Sequence, residues 1–286
     1  MPKAIITLTT DFGEKDHFAG AVKGAIYSEL DSVKIVDISH SVSPFHISEA
    51  AYIIQNAYKS FPAGTIHIIG IDSELNPENK HIAVFLDDHY FICANNGIIS
   101  MLTSEINPIK IVEINVHDNI ESNFPVLDVF VKVACHIARG GTLEVIGKNI
   151  INLPSEKGGI KQLTGIKPVV NPENNQIIGN VIYIDNYGNV ISNISKSFFN
   201  EIRKGRKFTI QARTEKFNKI LNRYSDIVDF EQPKSRRGED GKKLALWNSS
   251  NFLELAIYKS NPTTVGSASS LFGLNYRDGI IINFEK

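Results

Sequence analysis

The apolar pattern of this chain changes period once, near residue 155, and that change limits the fold more than any single motif. Before it, short β-branched apolar runs alternate with segments whose apolar residues recur at helical spacing. Residues 4–10, 33–38 and 65–71 read as strands. Residues 17–30 read as a helix through Phe18, Val22, Ala25, Ile26 and Leu30. A second helix follows, with Ser48 as the expected N-cap and Ile53, Ile54 and Ala57 facing inward. Residues 82–86 and 90–94 read as paired strands around Asp87-Asp88-His89, with a turn at Asn95-Asn96-Gly97. Residues 126–138 read as a helix closed by Arg139-Gly140-Gly141. Strands alternating with helices predict an α/β domain.

After residue 155 the chain becomes polar, glycine-containing and close to Pro168 and Pro172, as in a linker. Beyond it helical periodicity nearly disappears. Residues 177–184, 189–194, 207–212, 244–247, 252–257 and 279–284 read as short strands of an all-β domain. The expected organisation is an α/β domain over 1–158, a linker over 159–172 and a β domain over 173–286.

Composition narrows the function classes. The chain has 286 residues, 42% hydrophobic, with 30 basic against 31 acidic residues. A net charge of −1 gives no field that would gather nucleic acid or an anionic membrane. The charged stretch 231–243 reads as a solvated hairpin tip rather than a basic nucleic-acid patch. No apolar run is long enough to span a bilayer, and the N-terminus runs directly into a strand without a signal-type apolar core. Cys93 and Cys135 lie in apolar runs and read as reduced core residues, so the expected location is cytoplasmic. The eight histidines are scattered without metal-ligand spacing.

Three aspartates, Asp11, Asp72 and Asp185, follow apolar strands directly. In open α/β sheets the carboxyl ends of strands are where ligands bind. Polar groups also sit beside aromatics in Asp185-Asn186-Tyr187-Gly188-Asn189 and in Asn248-Ser249-Ser250-Asn251-Phe252. Carboxylates accept from ribose hydroxyls or an ammonium, aromatic faces stack on bases, and an Asn amide can read an adenine edge. A small ligand with a sugar, a base and an amino acid suits that inventory. Each segment taken alone also fits a capped turn or a hairpin.

Thr9-Thr10-Asp11-Phe12-Gly13, then Asp16 and Gly20-Ala21-Val22-Lys23-Gly24, resemble the opening signature of the S-adenosylmethionine hydroxide adenosyltransferases, relatives of the fluorinases and chlorinases. Val36-Asp37-Ile38-Ser39-His40, Ser43-Pro44-Phe45 and Ala50-Ala51 are similar to the next block, and Ala94-Asn95-Asn96-Gly97 to a third. Residues 184–194, Arg223-Tyr224-Ser225-Asp226 and residues 248–256 resemble the C-terminal signature, with Tyr187 where the hydrolases usually carry Phe. The similarity covers nearly the whole chain in order.

The resemblance implies a three-layer α/β sandwich followed by a barrel-like β domain. It also implies a homotrimer that holds S-adenosylmethionine between the N-terminal domain of one subunit and the C-terminal domain of its neighbour. By position, Asp11 would bind the ribose hydroxyls and Phe45 would pack near them. Asp185 and Ser249 would hold the methionine amino and carboxylate groups. Tyr187 would stack on adenine, and Asn189 would bond its edge. The reaction would be an in-line displacement at ribose C5′, with no metal or cofactor, because a sulfonium already makes methionine a good leaving group.

Two positions depart from the pattern. Hydrolases of the family are similar in carrying an Asp, an Arg seven residues later and a distant His. Asp72 matches the first, but Asn79 stands at the Arg position and Pro125 at the His position, followed by Val126. A positioned base contributes ~10²–10⁴-fold, so the water-activating set is depleted. Lys80 and His81 are the substitutes at hand. The leading expectation is an S-adenosylmethionine hydrolase that forms adenosine. A second reading is a non-catalytic binder of S-adenosylmethionine or adenosine, and a third is a halogenase.

Overall fold

The computed structural model describes residues 4–103, 106–116, 122–173, 175–238 and 240–285. The chain divides into two compact units, residues 1–165 and 166–286.

The first unit is built on a seven-stranded mixed sheet. Its strands are β1 (Ala4–Thr10), β2 (Val33–Ser39), β3 (Ile66–Gly70), β4 (His81–Leu86), β5 (His89–Ala94), β6 (Lys110–Ile114) and β7 (Gly147–Asn149), in the order β2-β1-β3-β5-β4-β6-β7. Strands β2, β1, β3 and β5 run parallel, and β4, β6 and β7 continue the sheet antiparallel. Residues 107–116 carry no strand in the sequence reading, yet β6 forms there and pairs with β4.

Alternation along the strands makes two cores, one on each face. Ile6, Leu8, Ile66, Ile68, Ala83, Ile92 and Val112 pack against α1 (Phe18–Glu29) and α4 (Val131–Ala138). Ile69, Ile82, Val84, Phe91 and Ile111 pack against α2 (Ile47–Ala57) and α3 (Ile98–Leu102). Helices on both faces give the three layers. The N-cap of α2 is His46, whose Nδ1 accepts the Glu49 N–H at 3.0 Å, and Ser48 lies inside the helix. The hairpin between β4 and β5 turns on Asp87 and Asp88, both at positive φ of 51° and 60°, the geometry of a two-residue turn. A π turn, Val126–Phe130, precedes α4.

Residues at 159–163 attach to this unit. Asn95 Nδ2 donates to the Gly159 carbonyl at 3.0 Å, and Asn95 Oδ1 accepts from Lys161 N–H at 3.0 Å. Leu163 N–H donates to Ser100 Oγ at 2.8 Å.

The second unit is an antiparallel, barrel-like sheet around a main core, with a smaller cluster at Leu244, Leu246 and Ala256. Its strands are β8 (Val169–Val170), β9 (Gln176–Ile184), β10 (Val190–Ser195), β11 (Phe208–Ala212), β12 (Glu215–Phe217), β13 (Lys243–Trp247), β14 (Phe252–Ile257) and β15 (Gly279–Phe284). They follow the order β12-β11-β15-β9-β10-β14-β13, with β8 beside β9. Two short helices, α5 (Lys196–Arg203) and α6 (Ala268–Phe272), lie outside the sheet. They escape a search for helical periodicity because each buries so few apolar residues: α5 buries Phe199, and α6 buries Ala268 and Phe272. Both start at a serine N-cap, Ser195 and Ser267.

Candidate active site

In the first unit the chain leaves β1 for β2 on one side and returns to β3 on the other. The carboxyl ends of β1 and β3 therefore flank a topological switch point, the place where open α/β sheets bind ligands. Asp11 follows β1 directly, and Asp72 follows β3 by one residue. Asp11 Oδ2 accepts the Phe45 N–H at 2.9 Å. Burial pushes the Asp11 carboxyl above its ordinary range, the Phe45 amide opposes that, and the negative charge of Asp72 adds to it. The two strand-end carboxylates thus share one field.

The backbone here is strained. Phe45 has φ 61°, in the left-handed region that bulky L-residues avoid, and Asp72 has φ 44°, in a region that Asp tolerates better. The Phe45 ring is 72% exposed, so no core packing accounts for its conformation. Below the carboxylates the wall is apolar. Phe12, Phe18 and Phe124 form a triangle with ring centres 5.3–5.7 Å apart. Gly70 lets β3 approach it: a β-carbon there would come within 3.0 Å of Val126 Cγ2 and 3.2 Å of the Phe12 and Thr10 side chains. Val126 opens the π turn and is fully buried. Such turns recur at functional sites.

Asn79 takes a role suited to its short amide. Its Nδ2 donates to the Asp72 carbonyl at 2.8 Å and to the Glu74 carbonyl at 3.3 Å, closing the 72–79 loop. Its buried Oδ1 accepts from no described protein donor. Lys80 and His81 do not converge on one point. Lys80 is exposed, whereas His81 is 1% exposed, with Nε2 2.9 Å from the Ser73 carbonyl and its ring edge on Phe130 at 4.8 Å. Adjacent residues at the start of a strand project to opposite faces.

In the second unit Asp185 organises a tight turn. Its Oδ1 accepts from the Tyr187 N–H at 2.9 Å and the Asn189 N–H at 2.8 Å, and its Oδ2 accepts from Asn189 Nδ2 at 3.0 Å. Gly188 turns at φ 71°, and a β-carbon there would meet Ser267 Oγ at 2.2 Å. The Tyr187 ring is 66% exposed beside this turn. The structure thus brings Asp185, Tyr187 and Asn189 together. Ser249 is exposed in a second turn, where Asn248 Oδ1 accepts the Ser250 and Phe252 amides at 3.0 Å and Asn251 has φ 60°.

Glu254 is a buried acid that the sequence reading passes over. It is 3% exposed on β14, and its Oε1 accepts from Tyr224 Oη at 2.5 Å. Burial pushes its carboxyl up to about 7, helped by the Asp185 charge and opposed by hydrogen bonds from the Tyr224 and Asn248 side chains. Tyr224 is raised in turn, by its own burial first and by Glu254 second. A charged residue inside the run Leu253-Glu254-Leu255-Ala256 is the only sequence signal of this network.

A two-domain fold with paired strand-end carboxylates in one unit and an aspartate-centred turn in the other defines the class. The model of the SAM hydroxide adenosyltransferase N-terminal domain matches residues 6–147, and that of its C-terminal domain matches residues 179–281; the chain belongs to this family. It is 29% identical to an (R)-S-adenosyl-L-methionine hydrolase of Methanocaldococcus jannaschii over 97% of this chain and 95% of that protein. It is 22% identical to a fluorinase of Actinopolyspora mzabensis over 99% and 98%. An uncharacterized conserved protein from Thermotoga maritima has the same fold, with a TM-score of 0.79 and 26% identity over 98% of this chain and 99% of that one.

Proposed function

We propose that the protein binds S-adenosyl-L-methionine and hydrolyses it to adenosine and L-methionine. The observation that carries this reading is the pair Asp11 and Asp72 at the ends of neighbouring parallel strands, in a chain whose two units both match the family. Asp11 binds the ribose hydroxyls, and the exposed Phe45 ring packs against the sugar. Asp185 and Ser249 receive the amino and carboxylate ends, while Tyr187 and Asn189 receive the adenine.

In the reaction a water oxygen bonds to C5′ as the C5′–sulfur bond breaks. The bonding pair leaves with sulfur, which becomes the neutral thioether of methionine. The water gives its proton to Asp72, the one retained member of the water-activating set. The sulfonium supplies the leaving group, so neither metal nor cofactor takes part in this reading. The apolar wall of Phe12, Phe124 and Val126 strips bulk water from the nucleophile.

We further propose a homotrimer in the cytoplasm, with the ligand sites between subunits. Among the described residues no helix is long and apolar enough to cross a membrane.

One observation favours a second reading. Asn79 spends its amide donors on loop carbonyls, and Pro125 carries no titratable group. Without Arg and His the fold would bind the ligand and not turn it over. A halogenase ranks third, because Val126 supplies no donor to a halide. The test is incubation of purified protein with S-adenosylmethionine, with and without chloride and bromide, followed by chromatography. Adenosine and methionine above the protein-free control support the hydrolase. No turnover, with a calorimetric complex, selects the binder.

A further inference from the structure

Asp11 lies between two backbone points that a single residue holds. On one flank, Thr10 Oγ1 is 2.7 Å from His40 Nδ1. On the other, the Gly13 N–H donates to the His40 carbonyl at 2.7 Å. His40 is 3% exposed, just after β2. Its Nε2 sits 3.0 Å from Asp37 Oδ1; against burial, which raises the Asp37 carboxyl, this contact and Lys23 together lower it. Asp37 is paired in turn with Lys23 of α1 at 2.5 Å. The chain Lys23–Asp37–His40–Thr10 therefore runs from the helix surface to the residue before Asp11.

The order hydroxyl, imidazole, carboxylate is that of a nucleophilic triad. Thr10, however, is 1% exposed, and its hydroxyl also takes the Phe12 N–H at 3.4 Å. A hydroxyl so enclosed attacks nothing. What the arrangement can do is brace. A carboxylate that accepts two ribose hydroxyls must be held within ~0.5 Å of the right position. Asp11 stands on a short turn with the Phe45 amide on one oxygen.

We infer that His40 is a positioning residue for the ribose-binding carboxylate of Asp11, anchored through Thr10, Gly13 and Asp37. This rests on the reading of Asp11 as the ribose contact. It predicts that His40 governs discrimination at the ribose hydroxyls and not general affinity for the nucleoside.

The test is calorimetric binding of adenosine and 2′-deoxyadenosine to the full chain and to His40→Gln, Thr10→Val and Asp11→Asn. The parent protein is expected to prefer adenosine by ~10-fold or more, the value of a hydrogen bond to a charged group. In His40→Gln and Thr10→Val that preference falls toward unity, while 2′-deoxyadenosine binding changes by less than about 2-fold. Thr10→Val removes one hydroxyl and keeps the shape, so it reports even where His40→Gln lowers the yield of folded protein. A merely structural role would weaken both ligands alike, and that result overturns the inference. Loss of the preference in Asp11→Asn alone, with both other variants like the parent, also overturns it and leaves the ribose reading intact. An unchanged preference in Asp11→Asn overturns the ribose reading itself.

Discussion

The Asp11 carboxylate accepts the backbone N–H of Phe45, 34 positions away, at 2.9 Å. One hydrogen bond thus sets both the carboxylate and the exposed ring of Phe45, which is held at φ 61°. Asp11→Ala is expected to abolish binding of S-adenosylmethionine and adenosine by calorimetry; retained binding refutes the ribose role. Phe45→Gly should raise stability and lower ligand affinity. It relieves a left-handed conformation worth about 1 kcal/mol or more and raises the melting temperature, while ligand affinity falls with the loss of the ring.

Asp72 tests catalysis separately from binding. Asp72→Asn is close to isosteric and keeps the backbone carbonyl that Asn79 holds at 2.8 Å. Adenosine formation should drop ~10²–10⁴-fold, with the dissociation constant for S-adenosylmethionine little changed. Equal rates in parent and variant would show that Asp72 does not receive the proton.

Glu254 gives the second unit a pH signature. Its folded carboxyl titrates near 7, above the ordinary 4.5 of the unfolded chain. Between those values the folded state keeps a proton that the unfolded state has lost. Stability therefore falls as pH rises through this window, by up to roughly 1.4 kcal/mol per unit. Glu254→Gln should remove that slope. Urea unfolding at pH 5 and pH 8, followed by Trp247 fluorescence, reports it, because Trp247 packs 5.3 Å from Phe199 in this unit and the chain has 1 Trp. An unchanged slope in the variant contradicts the assignment.

The first unit carries the opposite signature. Thr7 Oγ1 is 2.7 Å from His67 Nδ1, and His67 Nε2 is 3.1 Å from His89 Nδ1. Burial first, and His89 second, push His67 down to about 3 from an ordinary 6.5. It stays neutral in the fold and charges in the unfolded chain. Stability is then complete above pH 6.5 and is lost as pH falls from 6.5 toward 3. Amide exchange in β1 and β3 at pH 7 and pH 5 should show protection falling on acidification, and His67→Gln should flatten that dependence. Equal pH dependence in parent and variant rules His67 out as its source.

Much of the fold is legible because its signals are local. The apolar runs of β1, β3 and β5 and the spacing of Phe18, Val22 and Ile26 need only neighbours in the chain to be read. β6 escapes because it relies on its pairing with β4, distant in sequence, and the short helices α5 and α6 because each buries few apolar residues. The N-cap of α2 moves from Ser48 to His46 for a related reason: two polar residues on either side of Ile47 offer the cap, and the path of the loop chooses. In the site, Asp11, Asp72 and Asp185 stand out as carboxylates that end strands. Glu254 and His40 do not, since their partners Tyr224, Asp185 and Thr10 are about thirty or more positions away.

The sequence by itself determined the order of an α/β unit and a β unit, the strand-ending aspartates and the family resemblance, because hydrophobic period and turn chemistry act over a few residues. The tertiary structure alone decided which polar groups meet. The strand order β2-β1-β3 puts Asp11 and Asp72 at one switch point, and the buried faces fix His40 on Thr10 and Glu254 on Tyr224. Those meetings depend on long-range packing, where a buried polar group must find its partner or forfeit the fold's stability.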